Sequence, residues 1–154
     1  MTPAVNELKR KKIAFTLHSY DHDPKHPSYG LEAAEKLGIA PDLVFKTLVI
    51  QLDDGRLAVA VLPVSTQLNL KKTAAACGCK KAVMADKAMV EKTTGYVLGG
   101  VSPLGQKKRL TTVIDASAAD HSTILISGGR RGLDIEISPA DLASLTGGRL
   151  LQVT

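Results

Sequence analysis

Hydrophobic positions recur along this chain in two rhythms, short helical stretches bounded by capping residues and β-branched runs of period two. Thr2 and Pro3 open the first helix, with Pro at the first helical position, where its missing N–H costs nothing. Ala4, Val5 and Leu8 share one face, and Lys9 to Lys12 close the C-terminal end, where cations suit the helix dipole. Phe15 and Leu17 alternate with Thr16 and His18, predicting a strand over 13–20. Residues 21–30 contain Pro24 and Pro27 and read as a loop. A short helix follows over 31–37, stopped by Gly38.

The clearest pattern is a hairpin. A strand over 43–52 runs into the turn Asp53-Asp54-Gly55-Arg56 and returns over 57–64. Asn69 caps a helix to about Ala76, ended by Gly78. A short strand spans 81–84, and Asp86 caps a helix ending near Gly95. Residues 95–105 form a glycine-rich loop. Strands are expected over 109–114, 123–127 and 133–137, with GGRRG (128–132) as a turn. Ser138 and Pro139 open a last helix to about Leu145, and 150–153 reads as a final strand. Strands and helices mix without a βαβ rhythm. The expectation is an α+β fold with a mixed, largely antiparallel, barrel-like sheet flanked by short helices. No repeat or low-complexity linker divides the 154 residues, which are expected to form a single domain over 1–154.

Composition narrows this picture. Aromatic residues make up 3% and Trp is absent, so the core must be aliphatic. The net charge of +5 points to a polyanionic partner or to a merely basic surface. Cys77 and Cys79 stand one residue apart, too close in most backbones for a comfortable disulfide. No apolar run approaches the roughly 18–20 residues of a membrane span. The basic N-terminus lacks an apolar signal core, so a cytoplasmic location is expected.

Candidate chemistry is selective. His18, His22 and His26 fall four apart, but Pro24 and Pro27 forbid the helix that would align them. Cys77-Gly78-Cys79 has no second pair at zinc spacing, so neither metal nor cofactor is expected. GGVSPLG and GGRRG match neither dinucleotide nor P-loop spacing. They read as ordinary turns or as backbone cradles for a carbonyl or phosphate. No GxSxG elbow is present. Lys46 interrupts an apolar strand, on the face of Val44, Leu48 and Ile50. Either its charge is used there, or its stem covers the sheet while its amine reaches water. Basic clusters at 9–12, 71–72, 80–81, 107–109 and 130–131 either scatter or gather into a phosphate-tracking face. Scarce aromatics favour shape and phosphate recognition of a structured RNA over base stacking.

The stretches TPAVNELKRKKIAFTLHSYDHDP (2–24), EAAEKLG (32–38), FKTLV (45–49), LNLKK (68–72), TGYVLGGVSPLGQKKR (94–109) and ISGGRRGLDIEISPADLA (126–143) span nearly the whole chain. In this order they resemble the bacterial YbaK/EbsC family of freestanding Cys-tRNA(Pro) deacylases. These are distant relatives of the editing domain inserted in bacterial prolyl-tRNA synthetases. The resemblance implies trans-editing of cysteine mischarged on proline tRNA, with Cys-tRNA(Cys) as a further substrate. The partners implied are the aminoacylated 3′ end of tRNA and prolyl-tRNA synthetase. It marks Lys46 as the critical catalytic residue. It places Tyr20, Thr47, Gly99, Gly100, Ser127, Gly128 and Asp134 around the substrate, with backbone N–H groups near Gly99 and Gly100 as oxyanion donors. The nucleophile it implies is the substrate's own thiol. Two readings compete: a deacylase for alanine or serine, and a non-catalytic tRNA- or synthetase-binding module.

Overall fold

The computed structural model describes all 154 residues. Its five helices are α1 (Pro3–Arg10), α2 (Tyr29–Leu37), α3 (Leu70–Ala76), α4 (Lys87–Thr94) and α5 (Pro139–Thr146). Each begins at a side-chain cap. Thr2, Ser28, Asn69, Asp86 and Ser138 accept the backbone N–H groups of Val5, Leu31, Lys72, Met89 and Asp141. Helix α2 therefore starts two residues before the sequence predicts, because Ser28 supplies the cap and Tyr29 enters the first turn. Gly38, Gly95 and Gly147 end their helices in the left-handed conformation.

Eight strands form two sheets. The first has the order β4 (Ala82–Met84), β2 (Phe45–Leu52), β3 (Leu57–Pro63), β5 (Thr111–Asp115), β8 (Arg149–Leu151). Here β2 pairs antiparallel with β3 and β4, while β3–β5 and β5–β8 are parallel. The second sheet is antiparallel, in the order β1 (Thr16–Ser19), β7 (Leu133–Ile137), β6 (Ile124–Arg130). The sequence-predicted turn over 128–132 is shorter than expected, because β6 runs on to Arg130 through a bulge after Ser127. A 3₁₀ turn over Ala116–Asp120, capped by Asp115, follows β5. The fold is thus α+β with mixed sheets. The two sheets wrap one core and meet at a single parallel bridge between Val44 and Leu125. Pairing ends at β1 and β8 rather than running round to close.

The main core lies between the sheets. Phe45, Val49, Val59, Val61 and Ile114 of the larger sheet meet Ile124, Ile126, Leu133, Ile135 and Ile137 of the smaller one. Ala4, Val5 and Leu8 of α1 and Leu142 of α5 pack against the same core. The opposite face of the larger sheet buries Ile50, Leu52 and Ala58 against Ala74 of α3. With both faces covered, β3 reads as a nearly continuous apolar run.

This topology leaves a gap beside β2. On its outer edge β2 meets β6 at Val44 and β4 from Ile50 onward, and no strand pairs with residues 46–48 there. The Val49 carbonyl on that edge accepts the Ala85 N–H. By strand alternation the backbone of Thr47 faces the same way.

Candidate active site

A cavity of about 370 Å³ opens at this gap. Strand β2 contributes Lys46, Thr47 and Leu48, β1 leads into Tyr20, and the bulge of β6 presents Ser127 and Arg130. Asp134 comes from β7, Tyr29 from the start of α2, and Leu98 and Gly99 from the glycine-rich loop.

Lys46 is half-buried, and its Nζ donates to the Thr66 carbonyl at 2.7 Å. It has no carboxylate partner, and burial pushes its pKa below the ordinary lysine value. Lys46 thus lines the cavity while its amine rests on the Thr66 carbonyl. Asp134 is 7% exposed. Burial raises its carboxyl to about 7, against a smaller opposing effect of His18, its cross-strand partner. Burial, with the charge of Asp134 behind it, lifts the Tyr20 phenol to about 12. The Thr47 hydroxyl is buried without a hydrogen-bond partner, although it lines the cavity. A buried hydroxyl left unpaired calls for a partner, and a water or a ligand group in the cavity beside it could supply one.

The rim is built by a latch. Arg131 donates to the Leu98 carbonyl through Nε at 3.1 Å and Nη2 at 2.7 Å, while its guanidinium covers the Tyr29 ring. Helix α1 braces the loop and the bulge from behind. Thr2 Oγ1 donates to the Gly128 carbonyl, and Gly105 packs directly on the Pro3 and Ala4 backbone. Tyr96 adds a 2.6 Å bond to the Leu104 carbonyl.

Lys46, Tyr20, Thr47, Gly99, Ser127 and Asp134 come together on this cavity, while Gly100 and Gly128 do not line it. Gly100 is a correction to the oxyanion expectation, since its N–H is already donated to the Val97 carbonyl at 2.9 Å. A Cβ at Gly100 would meet the Arg130 backbone, and one at Gly128 would meet Leu133, so both glycines serve close packing. The Gly99 N–H has no backbone acceptor and lies at the cavity wall. Tyr29, Leu98 and Arg130 are cavity residues that sequence reasoning missed as site residues. The cap signal at Ser28, read as a helix start, would have brought Tyr29 forward.

The remaining candidates lie elsewhere. His18, His22 and His26 engage Glu136, Glu32 and Glu35, one glutamate each. Cys77 and Cys79 are free thiols beside the β2–β3 turn; Arg56 donates to the Cys77 carbonyl and to the Cys79 thiol, which donates to Asp54, and burial pushes the Cys77 thiol up. No helix is long and apolar enough to cross a membrane.

Residues 26–145 match the model of the aminoacyl-tRNA editing domain. The chain belongs to that family. An editing-domain relative in Enterococcus faecalis, EbsC, is named as a Cys-tRNA(Pro)/Cys-tRNA(Cys) deacylase. It is 37% identical over 153 residues, covering 99% of this chain and 93% of its own. A segment of the proline–tRNA ligase of Moorella thermoacetica is 36% identical over 69 residues, which are 45% of this chain and 12% of the ligase. Among solved structures, a hypothetical protein superposes with a TM-score of 0.86 at 25% identity over 99% of both chains. A protein described as a trans-editing enzyme for prolyl-tRNA synthetase gives 0.81 at 20% identity, over 98% of this chain and 92% of its own, and shows the same editing-domain fold.

Proposed function

We propose that this protein is a trans-acting aminoacyl-tRNA deacylase that removes cysteine from mischarged proline tRNA, with Lys46 as its catalytic residue. The observation that carries this reading is the cavity itself. It holds an unpaired, half-buried ammonium and contains no cysteine or histidine. A cavity with no cysteine–histidine or serine–histidine pair, and no hydrogen bond joining Ser127 or Thr47 to a base, suits a substrate that brings its own nucleophile.

The cysteinyl thiol attacks the ester carbonyl. A sulfur–carbon bond forms, the bond from carbonyl carbon to ribose oxygen breaks, and the thiol proton passes to the departing ribose oxygen. The products are free tRNA and a cyclic thiolactone, which water opens to cysteine. Lys46 offsets the negative charge that develops on the ester oxygens, in a site where partial burial strengthens that interaction. The free Gly99 N–H is the remaining backbone donor. Asp134 faces the substrate's amino group, and Tyr20, Thr47 and Ser127 hold the ribose end. The likeness to a segment of proline–tRNA ligase supports proline tRNA as the carrier and a prolyl-tRNA synthetase as the protein that presents it.

The test is release of labelled cysteine from preformed Cys-tRNA(Pro), wild type beside Lys46→Ala, with alanyl-tRNA(Pro) as control. Fast release that needs both Lys46 and the substrate thiol is expected. Equal rates on the alanyl and cysteinyl substrates would rule out the thiol mechanism. Release from neither would leave a tRNA-binding module.

A further inference from the structure

The cavity carries more positive charge than the ester end of its substrate uses. An aminoacyl ester has no negative charge, and its amino group when protonated is a cation. Yet the lining includes two cations, Lys46 and Arg130, against one acid, Asp134. Lys46 sits inside, tied to the Thr66 carbonyl. Arg130 is exposed at the mouth and joins no ion pair.

The two arginines of the GGRRG turn divide their work. Arg131 is fully engaged by Leu98 and Tyr29. Arg130 leaves its guanidinium free while its backbone is fixed from two sides. It stands in register with Leu133 after the bulge, and Gly100 lies so close that a Cβ there would come within 2.9 Å of the Arg130 Cα. A guanidinium on a fixed backbone presents a planar fork that matches phosphate in two parallel hydrogen bonds. We infer that Arg130 binds the phosphate on the 5′ side of the terminal adenosine of the charged tRNA, and so sets how far the aminoacyl end enters the cavity. The inference rests on the deacylase reading and adds to it the anchor for the nucleic-acid end.

Two small substrates test it: cysteinyl-adenosine, and the same ester carrying a 5′-phosphate. The quantity read is the ratio of kcat/KM with and without the phosphate. Wild type is expected to favour the phosphate by about ten- to a hundredfold, the range of a charge-assisted hydrogen bond. Arg130→Gln brings the ratio close to one, and Arg130→Lys keeps part of it. On full-length Cys-tRNA(Pro), the dependence of log KM on log salt loses about one phosphate's worth of slope in Arg130→Gln. An unchanged ratio and salt slope in Arg130→Gln would overturn the assignment. So would an equal loss on both small substrates, since Arg130 would then act on the ester. If wild type releases cysteine from neither small ester nor from charged tRNA, the deacylase reading itself fails and takes this assignment with it.

Discussion

The guanidinium carbon of Arg131 lies 4.4 Å from the centroid of the Tyr29 ring. The same side chain holds the Leu98 carbonyl with two nitrogens, so one residue joins α2, the glycine-rich loop and the β6–β7 turn. Lysine keeps the charge but cannot make the two-pronged contact while covering the ring. Arg131→Lys is therefore expected to raise KM for Cys-tRNA(Pro) by about tenfold, with a much smaller effect on kcat. Gly99→Ala should raise KM as well, with an added loss of kcat because it displaces the Gly99 N–H. Gly99 has φ +88°, and a Cβ there would come within 2.8 Å of both Arg131 and the Tyr29 ring. Steady-state kinetics on both variants check this; an unchanged KM in either would show that the latch does not shape the site.

Lys46 is held at a cost. Its ammonium sits partly buried with one carbonyl partner and no carboxylate, and burial lowers its pKa. Lys46→Met keeps most of the stem and removes the charge. The expected result is a loss of about 10²–10³-fold in kcat, the usual loss for a transition-state donor. The denaturant midpoint should meanwhile stay at or above that of wild type. A parallel fall in stability and activity would mean that Lys46 is chiefly structural.

Local chemistry made much of this legible in advance. The β2–β3 hairpin followed from alternation and the Asp53–Arg56 turn, and the caps at Thr2, Asn69, Asp86 and Ser138 all function as such. Lys46 stood out because a lysine breaks an apolar face, and it is one of the residues that line the cavity. What escaped depends on partners distant in sequence. The Val44–Leu125 bridge that makes the gap joins residues with no local signal for each other. Gly100 and Gly128 look like ligand cradles in a sequence, and only their approach to Arg130 and Leu133 shows them to be packing glycines. The turn over 116–120 carries no periodicity; it is fixed by the Asp115 carboxylate, which holds Ser117 and also the Val153 N–H.

Glu32 is fully buried in α2 and receives His22 Nδ1 and the Asp23 N–H, both at 2.7 Å, with Lys36 at 3.4 Å. It ties the 21–28 loop to the helix that bears Tyr29. Removing one member of a buried ionic cluster strands the others, so Glu32→Ala is expected to cost about 3 kcal/mol. Burial alone would raise this carboxyl, but the bonds from His22 and Asp23 prevail and hold it below its ordinary 4.5. A depressed folded-state pKa means stability that is complete above the ordinary value and lost as pH falls through the lower one. The stability gap between wild type and Glu32→Ala, read from urea midpoints, should therefore narrow as pH drops below about 4.5.

Asp134 should behave in the opposite sense. Its folded-state pKa is raised to about 7 from an ordinary 3.8, chiefly by burial. Between those values the folded protein binds the proton and the unfolded chain does not, so the folded state loses stability as pH rises across the window. Asp134→Asn replaces the carboxyl with a neutral group of the same shape and removes that dependence. The variant should gain on wild type steadily from pH 4 to pH 7 and level off above, as measured by urea midpoints at each pH. Activity should move the other way, because the amide cannot offer a charge to the substrate's amino group: lower kcat/KM at pH 8 despite a more stable fold. A variant whose stability tracked wild type at every pH would mean that Asp134 is already ionised in the free protein at acidic pH, with its charge compensated by His18 across the strand pair.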